Sequence, residues 1–241
     1  MPIIKIDSTP STNIYLKDLL NNSPLSEGTV VVADAQTAGR GQTGTHWESE
    51  PCKNLTFSLL LRPAFLPVAD YFLLSKVVAL GISDCLEKYL SGITIKWPND
   101  IYWQDKKLVG ILIENEITGS TIGQSVIGIG INVNQEIFRS DAPNPVSMKH
   151  ILGEEIDLDI LLAEMVDSIL ARYEALKEGN HKKIEQDYFS RLYRRQGYHW
   201  FEDKNGRFEA GIETVDNAGY IHLLTDTGER KKYAFKEVKY L

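Results

Sequence analysis

The chain has 241 residues, a formal net charge of −7, 43% hydrophobic residues and 24% charged ones. A chain this long buries roughly 70–75% of its unfolded surface, which argues against disorder; no run of 18 apolar residues predicts a spanning helix, and the start lacks the basic and apolar segments of a signal peptide. Cys52 and Cys85 are the only cysteines, so neither a zinc site nor a disulfide framework is expected, a cytoplasmic location fits, and the acidic total disfavours a general nucleic-acid binder.

Charge is uneven along the chain. Residues 182–195 carry five basic and two acidic side chains, and residues 230–241 five basic and one acidic. Such runs are solvated faces or docking points for an acidic protein partner.

In chain order, a short helix is predicted over 13–20, with Ser11 or Thr12 as its N-cap. The β-branched run at 29–32 and the apolar run at 54–61 read as strands, separated by Gly39, Gly41 and Gly44. A longer helical pattern covers 71–90. Strands follow at 93–96, 101–103, 108–117 and 121–133, and their short connections favour an antiparallel meander. Helices are expected at 158–177 and 182–195. From Gly197, turn signals at Asn205-Gly206, Asn217-Ala218-Gly219 and Thr227-Gly228 alternate with aromatic and β-branched runs. That pattern predicts a small barrel, with a domain boundary after residue 196.

Three motifs could carry chemistry. Gly39-Arg40-Gly41-Gln42-Thr43-Gly44 formally matches G-x-G-x-x-G, but no apolar helical period follows it, so a dinucleotide fold is rejected. What remains is a glycine loop whose backbone could approach an anion, with Arg40 to grip it and Trp47 to stack on a base, or else a mobile surface loop with a core tryptophan. The second motif is Lys96-Trp97-Pro98-Asn99-Asp100 followed by Lys107 and Gly110. A strand glycine often marks close approach of a ligand or backbone; by itself the motif reads first as an exposed hairpin lysine and a bulge glycine.

The third is Val126 to Asn134. Alternation puts Ile127, Ile129, Ile131 and Val133 on a core face, and Gly128, Gly130, Asn132 and Asn134 on the other. The second face is either a floor for a flat polar ligand or a bent strand whose asparagines satisfy backbone. Ser11-Thr12-Asn13 is an ordinary helix start that could also hold a polar ligand head. No histidine pair has metal-ligand spacing, and no nucleophile elbow occurs.

Together, Ser11-Thr12-Asn13, Gln36, Ala38-Gly39-Arg40-Gly41, Trp47, Lys96-Trp97-Pro98-Asn99-Asp100, Lys107 to Leu112 and Gly128-Ile129-Gly130-Ile131-Asn132 resemble the biotin protein ligases. The resemblance implies an α+β fold: a class II aminoacyl-tRNA synthetase-like catalytic domain over 1–196, with a mixed or antiparallel sheet, and an SH3-like barrel over 197–241. It implies ATP and biotin as substrates with Mg²⁺, and transfer of biotin through biotinyl-5′-AMP to a lysine of a biotin carboxyl carrier domain of a carboxylase or decarboxylase. No nucleic acid or membrane partner is implied, and a homodimer is left open. A lipoate or octanoate ligase and a non-enzymatic ligand- or RNA-binding module are the alternatives.

By the resemblance, biotin contacts fall on Ser11, Thr12, Asn13, Gln36, Gly39, Arg40, Gly41, Gln42, Lys107, Gly110 and Gly128. Adenylate contacts fall on Arg40, Trp47, Asn99, Asp100, Lys107 and Asn132. Lys107 and Arg40 are the catalytic cations, and Asp100 a metal ligand. With ten residues before Ser11, an N-terminal DNA-binding domain is not expected. Gln42 and Thr45 stand where the family often has arginines, which implies a weaker hold on the adenylate.

Overall fold

The computed structural model describes residues 2–42, 44–140 and 143–241. Seven strands form one mixed sheet in the order β1-β2-β3-β7-β6-β5-β4. They are β1 (Ile3–Thr9), β2 (Val30–Gln36), β3 (Leu55–Leu61), β4 (Ile93–Lys96), β5 (Asp100–Trp103), β6 (Lys106–Thr118) and β7 (Thr121–Ile131). Only the β1–β2 pair is parallel, because α1 (Thr12–Asn22) crosses over between them; the remaining pairs are antiparallel. The expected meander is therefore present as β4 to β7. The first strand has no counterpart in the sequence reading, which took Met1 to Asp7 only as evidence against a leader.

The sheet has two unequal faces. One packs under α2 (Phe72–Leu86) and α4 (Leu158–Lys177), with α3 (Met148–Leu152) beside them. Ile127, Ile129, Ile131 and Val133 all enter this core, as alternation required. The other face carries α1, whose Leu16 packs on Val31, Leu60 and Val126. α2 is almost wholly buried because it is apolar around its circumference.

α5 (His181–Ser190) stops five residues short of the predicted end. The chain leaves the helix to add to β4: Ile95 N–H donates to Arg191 O, and Tyr193 N–H to Ile95 O. Edge pairing outweighs helix propensity there.

A second, five-stranded antiparallel sheet follows, in the order β11-β10-β9-β8-β12. Its strands are β8 (His199–Asp203), β9 (Gly206–Val215), β10 (Ile221–Thr225), β11 (Arg230–Tyr233) and β12 (Lys239–Tyr240). All three predicted turns fall between its strands. It is bolted to the first sheet by polar contacts with little exposure. The Lys76 ammonium, 2% exposed, donates to Val215 O and Asn217 Oδ1 at 2.9 Å each. Burial pushes this ammonium below the usual lysine range, against the pull of Glu185, Asp216 and Asp70. Trp97 Nε1 donates to Gly219 O at 3.0 Å, and its ring meets Phe235 edge-on.

The basic runs are partly neutralised inside the protein. Arg191 bridges Asp84 and Glu87, Lys183 meets Asp187, and Arg230, Lys231 and Lys232 meet Glu213, Asp203 and Asp216.

Gly81 shows how closely α2 and α4 approach. A methyl group there would lie 2.5 Å from Ile169 Cα, on backbone that cannot yield cheaply. Alanine would gain about 1 kcal/mol of helix propensity. Overpacking costs about 1–3 kcal/mol and here meets main chain, so the collision wins. Gly81→Ala is expected to destabilise the protein by about 1–2 kcal/mol, read as a lower urea midpoint at unchanged slope.

Candidate active site

The site lies on the α1 face of the sheet, where β6 and β7 run side by side. Gly110 pairs with Gly130, and Leu112 with Gly128. These glycines leave the backbone bare, and two side chains lie on it. A methyl group at Gly130 would be 2.3 Å from Trp47 Cε2, and one at Gly110 2.9 Å from Trp47 Cζ3. A methyl group at Gly128 would be 2.5 Å from Asn13 Oδ1. The bare floor is thus covered by protein: an indole over Gly110 and Gly130, an amide over Gly128.

Trp47 is delivered by the glycine loop, which is a small hairpin. Trp47 N–H donates to Gly39 O at 3.0 Å and Gly41 N–H to Thr45 O at 3.0 Å, while Arg40 and His46 form a bridge. Gly39 and Gly41 are required by this fold-back. A methyl group on them would meet Trp47 O at 2.4 Å and Thr45 Oγ1 at 2.3 Å. Thr45 closes the turn, donating through its hydroxyl and its N–H to Gln42 O.

Lys107 reaches the same face through a bulge. Ile101 opposes Val109 but Tyr102 opposes Lys107, so Leu108 is an extra residue on β6. Simple alternation would put Lys107 and Gly110 on opposite faces; the bulge re-aims Lys107. Its Cε comes within 3.6 Å of a methyl position at Gly110, and its Nζ lies 5.9 Å from the Trp47 ring centroid. Lys107 Nζ also meets Asp100 Oδ1 at 2.7 Å, an ion pair without hydrogen-bond alignment, and that oxygen has no other partner.

At the other end of the cleft, the start of α1 is buried. Ser11, Thr12 and Asn13 are at most 3% exposed. Ser11 holds the N-cap position, yet its side chain makes no capping bond. Gln36 Oε1 accepts from Thr12 N at 2.9 Å and lies 3.2 Å from Thr12 Oγ1. Ser58, fully buried on β3, lies between Thr12 Oγ1 and Asn13 Oδ1. Asn13 Nδ2 donates to Glu114 Oε2 at 2.8 Å.

Glu114 also receives Lys17 at 2.8 Å, and Arg40 Nη2 lies 3.6 Å away. Burial alone would raise its pKa, but hydrogen bonds from Lys17 and Asn13 and the charges of Lys17 and Arg40 hold the carboxyl below the usual range. It therefore stays ionised at neutral pH.

The Asn99 and Asn132 amides bond main chain rather than this cluster. Asn99 Nδ2 donates to Ile111 O and Asn132 Nδ2 to Val146 O, so both amides stitch backbone. Asn134 does the same at Ile156. Among the described residues no group of three or more His, Cys, Asp or Glu could hold a metal, and no helix is long and apolar enough to cross a membrane. Two residues escaped the sequence reading. Glu114 shares the face of Gly110 and Leu112 by its even spacing, which was a usable signal. Ser58 is revealed only by its register opposite Gly128.

Beside the cleft a groove of about 530 Å³ opens between Gln42, Asn99, Ile113, Asn115, Gly219 and Phe235. β5 begins at Asp100 and Asn99 pairs with Ile111, so beyond Ile111 β6 has only β7 as a strand partner and presents an edge to this groove.

A buried polar pocket, an indole on a glycine floor and a lysine re-aimed by a bulge thus share one face of the sheet. The sequence profile of the Biotin/lipoate A/B protein ligase family matches residues 5–132, and the chain belongs to that family. The bifunctional ligase/repressor BirA of Bacillus subtilis (strain 168) is 32% identical over 251 aligned residues, covering 96% of this chain and 72% of that protein. The biotin–[acetyl-CoA-carboxylase] ligase of Paracoccus denitrificans is 33% identical, covering 69% of this chain and 70% of its own. The biotin protein ligase from Aquifex aeolicus, solved in complex with biotin and ATP, superposes with a TM-score of 0.82 at 27% identity, covering 100% of this chain and 99% of that one.

The glycine floor is tested by Gly130→Ala. The added methyl must lift the indole, so tryptophan fluorescence should become more accessible to acrylamide while the circular dichroism stays that of wild type. In a Trp47→Phe background the increase should vanish.

Proposed function

We propose that the protein is an ATP-dependent biotin protein ligase that forms biotinyl-5′-AMP and transfers biotin to a lysine of a biotin carboxyl carrier domain. The observation that carries this is Lys107, turned by the β6 bulge to stand beside Trp47 and over the glycine floor. Both nucleophiles come from the substrates, so the protein needs only to position them and stabilise charge.

In the first step a biotin carboxylate oxygen bonds to the α-phosphorus of ATP, and the bond to the pyrophosphate oxygen breaks. Negative charge builds on the α-phosphate oxygens. The Lys107 ammonium, now partnered by Asp100, and the Arg40 guanidinium are the cations within reach. Trp47, resting on Gly110 and Gly130, offers its other face to adenine. In the second step the carrier lysine amine attacks the biotinyl carbonyl carbon, the bond to the phosphate oxygen breaks, AMP leaves and the amine loses a proton.

Mg²⁺ enters with ATP as its counter-ion. Asp100 already has an ammonium partner, and a magnesium held by phosphates and water needs few protein ligands. The groove by the free edge of β6 is a route for the carrier lysine, and an exposed strand edge is a surface on which a β-rich carrier can add. The C-terminal sheet, as an SH3-like barrel over 197–241, supplies the groove's far wall through Gly219 and Phe235. The catalytic unit over 1–196, of class II synthetase type, holds the cleft, and a cytoplasmic location fits its ATP chemistry.

Biotin is favoured over lipoate by the Thr12–Gln36–Ser58–Asn13 network. These groups already bond one another; an alkyl or dithiolane end would offer nothing to the Gln36 Nε2 donor and the Thr12 Oγ1 lone pair that the network leaves for a ligand. Incubation with ATP, Mg²⁺, either acid and a carrier domain, followed by mass spectrometry, tests the reading. The carrier should gain the mass of biotin and not that of lipoate; the reverse would overturn it.

Two substitutions sharpen it. Lys107→Ala should slow biotin-dependent pyrophosphate release by ~100-fold or more, the usual loss when a charge stabiliser is removed. Gln42→Arg should slow dissociation of biotinyl-AMP, measured by chase with unlabelled biotin, by restoring a charge-assisted grip in the loop.

A further inference from the structure

We propose that Glu114 sets the ligand specificity of the cleft as a positioning residue: its acceptor-only carboxylate fixes the direction of the hydrogen bonds that run to Thr12. The inference rests on the biotin reading and adds to it a residue that does not touch the ligand.

The chain of contacts allows one direction. Asn13 Nδ2 is 2.8 Å from Glu114 Oε2 and 3.3 Å from Leu112 O. Both partners can only accept, so that end of the amide must be nitrogen. Asn13 Oδ1 is then an acceptor, 2.6 Å from Ser58 Oγ. Ser58 has one hydroxyl proton and two close oxygens, the second being Thr12 Oγ1 at 2.8 Å. Asn13 Oδ1 has no proton to offer, so it takes the one from Ser58. Thr12 turns its own proton inward, to Gln36 Oε1 at 3.2 Å. Its oxygen keeps a lone pair for a ligand N–H. Gln36 Oε1 is occupied by Thr12 N–H, which leaves Gln36 Nε2 as the donor for a ligand oxygen.

The pocket therefore asks for a carbonyl beside an N–H, the pattern of a cyclic urea. Without Glu114 only the longer contact to Leu112 O, 3.3 Å, holds the direction. A glutamine at 114 can donate to Asn13, the Asn13 amide can turn over, Ser58 can give its proton to Thr12, and Thr12 can present a donor instead. The ion contacts at Lys17 and Arg40 secure the carboxylate in place, so the same residue ties the loop arginine to the head pocket.

The test is calorimetric binding of biotin and of a biotin analogue methylated on a ureido nitrogen, to the full chain and its variants. Wild type should prefer biotin strongly. Glu114→Gln should bind biotin ~10-fold more weakly, the size expected for one or two lost hydrogen bonds, and its preference over the analogue should shrink. Ser58→Ala interrupts the relay without touching the carboxylate and should have the same effect, and it decides the matter if Glu114→Gln fails to fold. The double variant should be no worse than the weaker single. Preference unchanged in folded variants, or losses that simply add, would overturn the relay alone. A wild-type protein that does not bind biotin would overturn the functional reading, and the relay with it.

Discussion

Everything in the cleft depends on main chain left bare at Gly110, Gly128 and Gly130. An indole can lie flat on a sheet only where the strands carry no side chain, and the paired glycines provide that area. Trp47 in turn fixes the hairpin that holds Arg40. The Asn13 amide uses the third bare position to reach across β7 to Glu114. A methyl group at any of the three would meet these side chains at 2.3 to 2.9 Å, well inside contact distance. The floor is a device for bringing two protein groups against the sheet, and the ligand would meet those groups rather than the glycines.

The cleft is polarised along its length. At one end lie neutral, almost wholly buried hydrogen-bonding groups whose partners are largely fixed. At the other lie an aromatic platform and the Lys107–Asp100 pair. On the proposed reading these two ends take the two tasks of acid activation, recognition of a head group and stabilisation of phosphate charge. Because the groups are set by packing and pairing before any ligand arrives, little reorganisation is needed when charge develops. The C-terminal sheet takes part through Trp97 and Lys76, which hold its turn at 217–219 against the start of α2 and the Trp97-Pro98-Asn99 segment.

Much of this was legible in the sequence. Alternation separated Ile127, Ile129, Ile131 and Val133 from the glycines, and turn chemistry marked the breaks between β8, β9, β10 and β11, though not β12. The meander followed from short connections. What local rules could not supply was the β6 bulge, since one extra residue at Leu108 reverses which face Lys107 takes and leaves no mark in composition. The end of α5 was hidden for a related reason: residues 191–193 are captured by β4, a contact nearly a hundred residues away in sequence. The glycine floor was foreseen as a floor but its occupants were not, because Trp47 and Asn13 reach it only through the tertiary fold. Of the candidate residues, Thr12, Asn13, Gln36, Arg40, Trp47, Lys107, Gly110 and Gly128 come together on one face, while Asn99 and Asn132 are engaged with backbone.

The most direct test of this account is a crystal structure of the protein with biotinyl-5′-AMP. The account predicts the adenine on the outer face of Trp47, with the indole still resting on Gly110 and Gly130 and the Lys107 ammonium at the phosphate. Adenine bound away from Trp47, or an indole displaced from the glycine floor by the ligand, would contradict it.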